Sequence, residues 1–181
     1  MDIITLPNPL LHEKCTPVEH GDKSIKKLAK DMAKLMYKTD GVGIAAPQVG
    51  ILQRFVVIDC FYFEEDENGR PLNKKNPLTL INPVIVDHSE NRVTSSEGCL
   101  SVPGINGDVE RWEWVEVECF NEKWEKIRYK SDGLFGRCMQ HEIDHLDGYT
   151  FVDRLDPIAR ITALQEYEVA RANGAKPGQV G

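Results

Sequence analysis

Residues 131–148 constrain the fold more than any other part of this chain. Ser131 or Asp132 can cap a helix of about four turns there, and Gly148 can end it. At helical spacing Leu134, Cys138, His141 and His145 fall on one stripe, and Phe135, Met139, Glu142 and Leu146 on the next. The other members of both stripes are apolar. The spacing therefore predicts that His141, Glu142 and His145 point into the protein, and that this helix is the buried centre of the fold.

The remaining elements follow from shorter patterns. Residues 22–39 predict an amphipathic helix through Ile25, Leu28, Met32, Leu35 and Met36, with Asp22 as cap and Gly41 as stop. Residues 41–50 are small and contain Pro47, which favours an extended or looped segment. Phe55-Val56-Val57-Ile58 reads as a buried strand, and strand character returns over 79–87. Between them, residues 64–75 are charged and hold Gly69 and Pro71, so they predict a solvated loop or hairpin tip. Val115, Val117 and Cys119 alternate with Glu116 and Glu118, and after a turn at 121–123 Ile127 and Tyr129 alternate with Lys126, Arg128 and Lys130. That is an antiparallel hairpin. Asp156-Pro157 starts a last helix that runs to about Asn173-Gly174. The sum is an α+β fold in one domain, residues 1–174, with antiparallel β-sheets packed around the central helix and a C-terminal helix. The tail, 175–181, has two glycines and a proline and is expected to be disordered.

Bulk properties exclude several functions. A chain of 181 residues with 41% hydrophobic and 28% charged side chains is ordinary for one soluble domain. The formal net charge of −7 argues against nonspecific binding to nucleic acid or an anionic membrane. No secretory signal is visible at the start and no apolar run approaches a membrane span. The five cysteines are odd in number and form no CxxC pair, so neither a disulfide framework nor an all-cysteine zinc site fits. A reducing, cytoplasmic setting is the expectation.

The chemistry resides in His141-Glu142-Ile143-Asp144-His145 and in Glu97-Gly98-Cys99-Leu100-Ser101. Two histidines four apart on a helix can reach one metal ion, and the glutamate beside the first lies where it can take a proton from an activated water. With cysteine as a third ligand, a four-coordinate ion keeps one position open, the mark of a catalytic site. The plainer reading is a pair of core histidines bonded to backbone carbonyls, with Glu142 in a salt bridge. Cys15, Cys60, Cys119 and Cys138 read as small buried hydrophobes. Cys99 stands apart because a bend follows it; it could be a nucleophile with a histidine partner, but the adjacent HExxH pattern favours a ligand. Gly41-Val42-Gly43-Ile44-Ala45-Ala46 superficially approaches a dinucleotide fingerprint. A helix precedes it and Pro47 follows, so phosphate binding is set aside. Gln48 could donate from its amide, and Gly43 could admit a ligand close to the backbone.

Three segments in this order, Gly41-Val42-Gly43-Ile44-Ala45-Ala46-Pro47-Gln48, Glu97-Gly98-Cys99-Leu100-Ser101 and Gln140-His141-Glu142-Ile143-Asp144-His145-Leu146-Asp147-Gly148, resemble the peptide deformylase family over residues 3–155. The resemblance implies a metal-dependent amide hydrolase that removes the formyl group from the N-terminal formyl-methionine of nascent chains. It implies that Cys99, His141 and His145 hold one divalent metal ion, Fe2+ in the cell, with Zn2+, Ni2+ or Co2+ as substitutes. Glu142 would be the general base and acid, with Gln48 and the Leu100 N–H as oxyanion donors. Gly43 and Ile44 would line the substrate cleft. Arg111 matches a family arginine, is placed with the substrate-binding residues and is expected to pair with Glu97. The charged segment 61–76 and the loop 104–107 carry nothing over. Ribosome docking through the last helix rests on a weakly positive balance, with Arg160, Arg171 and Lys176 against Glu166 and Glu168. The alternatives are an HExxH metalloprotease, which would need a third ligand further downstream where no histidine exists, and a domain that uses the metal only to hold its fold.

The ligand and nucleophile readings of Cys99 separate cleanly. Cys99→Ala is expected to bind its metal far more weakly than the parent, as read by metal stoichiometry after gel filtration. Full metal content with lost activity would make Cys99 a nucleophile instead.

Overall fold

A computed structural model describes residues 1–179. In chain order the elements are α1 (Ser24–Lys38), β1 (Gly43–Ala45), β2 (Phe55–Ile58), β3 (Leu78–His88), β4 (Arg92–Cys99), β5 (Val102–Trp112), β6 (Val115–Phe120), β7 (Lys126–Ser131), α2 (Gly133–Leu146) and α3 (Pro157–Ala172). Five strands form one antiparallel sheet in the order β1-β2-β3-β6-β7, and β4 and β5 form a separate two-stranded sheet.

The apolar run of β2 is continuous because both of its faces are covered. Val56 and Ile58 pack towards α2 with Met139, Ile143 and Leu146, whereas Phe55 and Val57 pack towards α1 with Ile25, Met32 and Met36. Strand alternation carries the same division into β1, where Ile44 joins the α1 side and Ala45 the α2 side. The helix bearing the HExxH sequence is thus pressed against the sheet centre, and residues of β6 and β7 (Val115, Val117, Tyr129) extend the same cluster. The β6–β7 hairpin has the register its alternation predicts, Val117 opposite Tyr129 and Cys119 opposite Ile127.

The β4–β5 hairpin has no counterpart in the sequence reading, which placed only a bend at Cys99. Along β4 nearly every residue is exposed and Glu97 alone is buried, so no apolar alternation marks it. Glycines 104 and 107 and Pro103 obscure β5 in the same way. The hairpin is held from below by a third cluster, in which Val102, Ile105 and Val109 of β5 meet Phe151, Leu155 and Tyr167. Tyr167 of α3 also donates its hydroxyl to the Leu6 carbonyl at 2.8 Å, tying the last helix to the first residues of the chain.

Helix ends follow local chemistry with two adjustments. Asp22 accepts from the Ser24 amide and hydroxyl at 2.8 and 2.7 Å, just ahead of α1. The left-handed residue that ends α1 is Asp40 (φ +53°), not Gly41, whose amide instead returns to the Met36 carbonyl at 2.9 Å. Asp156 caps α3 by accepting from the Ile158 and Ala159 amides, both at 3.0 Å. Segment 61–76 closes as a small hairpin with Glu65 bridged to Pro71. Of the expected tail, residues 175–179 fold back on β5, with the Gly104 amide donating to the Gln179 carbonyl at 3.0 Å; Val180 and Gly181 lie outside the described residues. No helix among the described residues is long and apolar enough to cross a membrane.

Gly148 stops α2 with φ +85°, and a Cβ there would sit 2.5 Å from the His12 carbonyl oxygen. Gly133, at φ +54°, has nothing within 4 Å of the same position. Gly148→Ala combines left-handed strain with overpacking and is expected to destabilise the protein by about 2–4 kcal/mol in urea unfolding; Gly133→Ala carries strain alone, about 1 kcal/mol. Equal losses would show that the His12 contact is not tight.

Candidate active site

The site forms where β4 ends against α2. Cys99 is the last residue of β4, beyond a register shift that follows Glu97, and Leu100 and Ser101 make the turn into β5. His141, Glu142 and His145 come from the buried half of α2, and Gln48 from a short 3-10 turn, Ala46–Val49, after β1. One ligand atom each from Cys99, His141 and His145 lie within 4.8 Å of one another, the single such group among the described residues. Cys99 Sγ is 3.3 Å from His145 Nε2.

Glu97 sets the orientation of His141. Its Oε2 lies 2.9 Å from His141 Nδ1, so the tautomer that donates there leaves the Nε2 lone pair for an ion. Arg111 Nε donates to Glu97 Oε1 at 2.6 Å and Nη2 to Oε2 at 2.9 Å, the expected pairing. Arg111 Nη1 also donates to Asp144 Oδ2 at 2.9 Å, and Arg154 forks onto the two oxygens of Asp144 at 3.0 and 2.6 Å. Burial works to raise the Glu97 carboxyl, but its hydrogen bonds from His141 and Arg111 hold it well below the usual range.

The electrostatics suit a cation. Burial lowers His145 well below its ordinary value, which keeps the neutral, ligating form. At His141 burial also lowers, yet the Cys99 sulfur and Glu97 together raise it well above normal, so the space between them favours positive charge. Buried and without a partner are Glu142 Oε2 and His145 Nδ1. Burial lifts Glu142 to about 7. A soft thiolate, two imidazoles and a free carboxylate oxygen fit a divalent transition metal with an open position. The other cysteines behave as core residues, with burial pushing Cys15 up to about 11 and Cys119 to about 12.

Gln48 is buried and fixed at both ends of its amide. Its Oε1 accepts from the Ala45 amide at 2.8 Å, which turns Nε2 towards Ser101 Oγ (3.0 Å) and Cys99 Sγ (3.5 Å). With Leu100, Gly43, Cys99, His141 and Glu142 it lines a cleft of about 280 Å³. Gly43 is required by packing, since a Cβ there would strike Glu142 Oε1 and lie 2.8 Å from Cys138 Sγ.

Two of the expected cleft residues lie elsewhere. Ile44 does not line the cleft; strand alternation sends its side chain into the α1 cluster, and Val42 lines the cleft in its place. Arg111 is also absent from the lining, because its guanidinium is buried between Glu97 and Asp144. The sequence reading missed Val42, Ser96, Leu134, Arg137 and Cys138 as cleft residues. For Leu134 and Cys138 the signal was present, since they share the stripe of His141.

Comparison with known proteins agrees with this geometry. The sequence model of the family described as Polypeptide deformylase matches residues 1–160. This chain belongs to the peptide deformylase family. A peptide deformylase of Alkalilimnicola ehrlichii is 43% identical over 160 residues, 88% of this chain and 84% of the relative, and one of Neisseria meningitidis is 44% identical over 158 residues, covering 87% and 88%. Among solved structures, the peptide deformylase of Ehrlichia chaffeensis superposes with TM-score 0.83 at 35% identity, covering 96% of this chain and 97% of that one. The peptide deformylase of Synechococcus elongatus, solved with actinonin, gives 0.81 at 37% identity, covering 93% and 86%. Peptide deformylases are metal-dependent enzymes, and this chain has a donor set able to hold the ion.

Arg111 joins two buried carboxylates, and breaking such a pair leaves charge uncompensated. Arg111→Met is expected to destabilise the fold by about 3–5 kcal/mol in denaturant unfolding. A loss below about 1 kcal/mol, the scale of a solvent-exposed pair, would show the network to be far wetter than its burial implies.

Proposed function

We propose that this chain removes the formyl group from the N-terminal formyl-methionine of newly synthesised polypeptides, through one metal ion held by Cys99, His141 and His145. The observation that carries the reading is the convergence, at the floor of one open cleft, of that donor triangle, whose Cys99 and His141 line the cleft, with Glu142 and the Gln48 amide. A divalent ion held there would lower the pKa of a water and polarise the formyl carbonyl.

The chain's own residues do the rest. Glu142 takes the proton of the attacking water at Oε2 and passes it to the amine nitrogen as the C–N bond breaks, so formate and a free N-terminus leave. Gln48 Nε2 and the Leu100 N–H donate to the oxygen of the formyl group as it gains negative charge; Gln48 is already oriented by the Ala45 amide and needs no rearrangement. β1 is the edge of its sheet, so an extended peptide can add to it, with Gly43 letting the main chain approach and Ile44 contributing backbone only. Iron(II) is the proposed native ion; the same ligands also suit zinc, cobalt and nickel.

The setting is proposed to be the cytoplasm, where formylated nascent chains are made. α3 is the proposed ribosome-facing element. Arg160 and Arg171 there are already paired with Asp153 and Glu168, so such a contact would rest more on exposed Ile158, Ile161 and Val169 than on charge. The endoprotease alternative is disfavoured because no further acidic or histidine side chain joins the donor group among the described residues. A purely structural metal is disfavoured by the cleft that opens on the site.

Glu142→Gln is expected to keep its metal and to lose about 10²–10⁴ in turnover, measured as formate released from formyl-Met-Ala-Ser. Near-normal release would overturn the role of Glu142, and cleavage of unformylated casein with no formate release would favour the protease.

A further inference from the structure

Glu97 is held by one arginine more than its pairing with Arg111 provides. Arg137 lies on α2 one turn before His141 and, like Leu134 and Cys138 beside it, lines the cleft. Its Nη1 donates to Glu97 Oε1 at 2.8 Å and to the Val109 carbonyl at 3.0 Å, and its Nη2 to the Val93 carbonyl at 2.7 Å. One guanidinium therefore fastens α2, which carries both histidines, to both strands of the hairpin that carries Cys99. It does so at the carboxylate that orients His141. Oε1 of Glu97 accepts from Arg111 and Arg137, and Oε2 from Arg111 and His141. With donors on both sides of both oxygens, the carboxylate cannot turn without breaking a charged hydrogen bond.

We infer that Arg137 is a positioning residue of the metal site, acting through Glu97. By holding Oε1 it holds Oε2 against His141 Nδ1, and so aims His141 Nε2 at the point shared with Cys99 and His145. By bonding the Val93 and Val109 carbonyls it keeps the Cys99 strand at a constant distance from the helix. Arg111 also ties the hairpin to α2, through Asp144, but its guanidinium does not bond the Val93 and Val109 carbonyls that Arg137 holds. The plainer possibility, a bolt that matters only for stability, predicts a different set of measurements.

The inference rests on the deformylase reading only for its activity readout. The experiment uses the full chain and compares Arg137→Met and Arg137→Lys, alone and combined with Glu97→Gln. Cobalt(II) affinity is measured by chelator competition under conditions where circular dichroism shows each variant folded. Formate release then gives kcat per bound metal and KM. Arg137→Met is expected to weaken metal binding about 10-fold, the lower end of the roughly 10–100-fold usual when the partner of a ligating histidine is itself lost, and to lower kcat with little change in KM. Arg137→Lys should recover part of the loss. In the Glu97→Gln background, Arg137→Met should add less than about twofold, since the path through Glu97 is already broken.

A full effect of Arg137→Met in that background would overturn the inference. So would unchanged affinity with only a lower melting temperature, or a rise in KM alone, which would make Arg137 a peptide-contacting wall. Should Arg137→Met not fold, Arg137→Lys alone carries the test, with a smaller loss of affinity expected and the same cancellation by Glu97→Gln. If no protein releases formate while the affinities follow this pattern, the deformylase reading fails and the role of Arg137 stands.

Discussion

The buried carboxylate of Glu97 organises this molecule, because three charged or ionisable groups from two separate elements make four hydrogen bonds to its two oxygens. Arg111 reaches it from β5, and Arg137 and His141 reach it from α2. Desolvating a carboxylate is expensive, and only a saturated set of hydrogen bonds makes its burial tolerable. The arrangement extends through Arg111 to Asp144 and on to Arg154, so charges alternate along a path from the cleft towards the start of α3. Each member depends on its neighbours for neutralisation. The hairpin, the central helix and the ligand geometry are consequently one cooperative unit rather than three.

α2 combines two demands that seldom meet in one helix. Met139, Ile143 and Leu146 anchor it in the apolar core against the sheet, while it presents His141 and Glu142 to a cleft and holds His145, fully buried, behind them. The apolar side makes the polar side rigid, which is what catalysis by a preplaced carboxylate needs. Among the buried side-chain atoms of the described residues, Glu142 Oε2 and His145 Nδ1 have no hydrogen-bond partner. Buried polar atoms are rarely left so; Glu142 stands at the cleft where a reacting group would enter, whereas His145 Nδ1 is on the far side of its ring from the Nε2 that faces Cys99.

Much of this was legible in the residues. Periodicity placed α1, α2 and the β6–β7 hairpin within a few residues, because each buries one apolar face, and the Asp156-Pro157 start placed α3, most of whose apolar residues are exposed. The donor set was legible for the same reason, since His141 and His145 share a stripe with buried neighbours. The β4–β5 hairpin was not. Its outer strand is exposed except at Glu97, and it is stabilised by contacts with Phe151, Leu155 and Tyr167 far along the chain. Long-range packing of that kind leaves no local period to read.

What the sequence by itself carried is the chemistry: two imidazoles on one helical face with an adjacent carboxylate, whose spacing points to a metal-centred hydrolytic site, with Cys99 favoured as a third ligand and the Gln48 amide added by the resemblance to the family. What only the tertiary structure decided is which side chains face that site. Ile44 was expected in the cleft and its side chain lies in the core, because a three-residue strand exposes alternate faces and only its packing between α1 and α2 shows which face is which; Val42, just before the strand, lines the cleft. Arg111 makes the expected pair with Glu97 and a second with Asp144 but stays off the cleft lining, while Arg137, unremarkable on α2 in isolation, stands at the cleft wall bonded to both strands of the hairpin. The contacts of Asp144 and Arg137 with residues many positions away are set by the approach of whole elements, and no local period in the sequence encodes them.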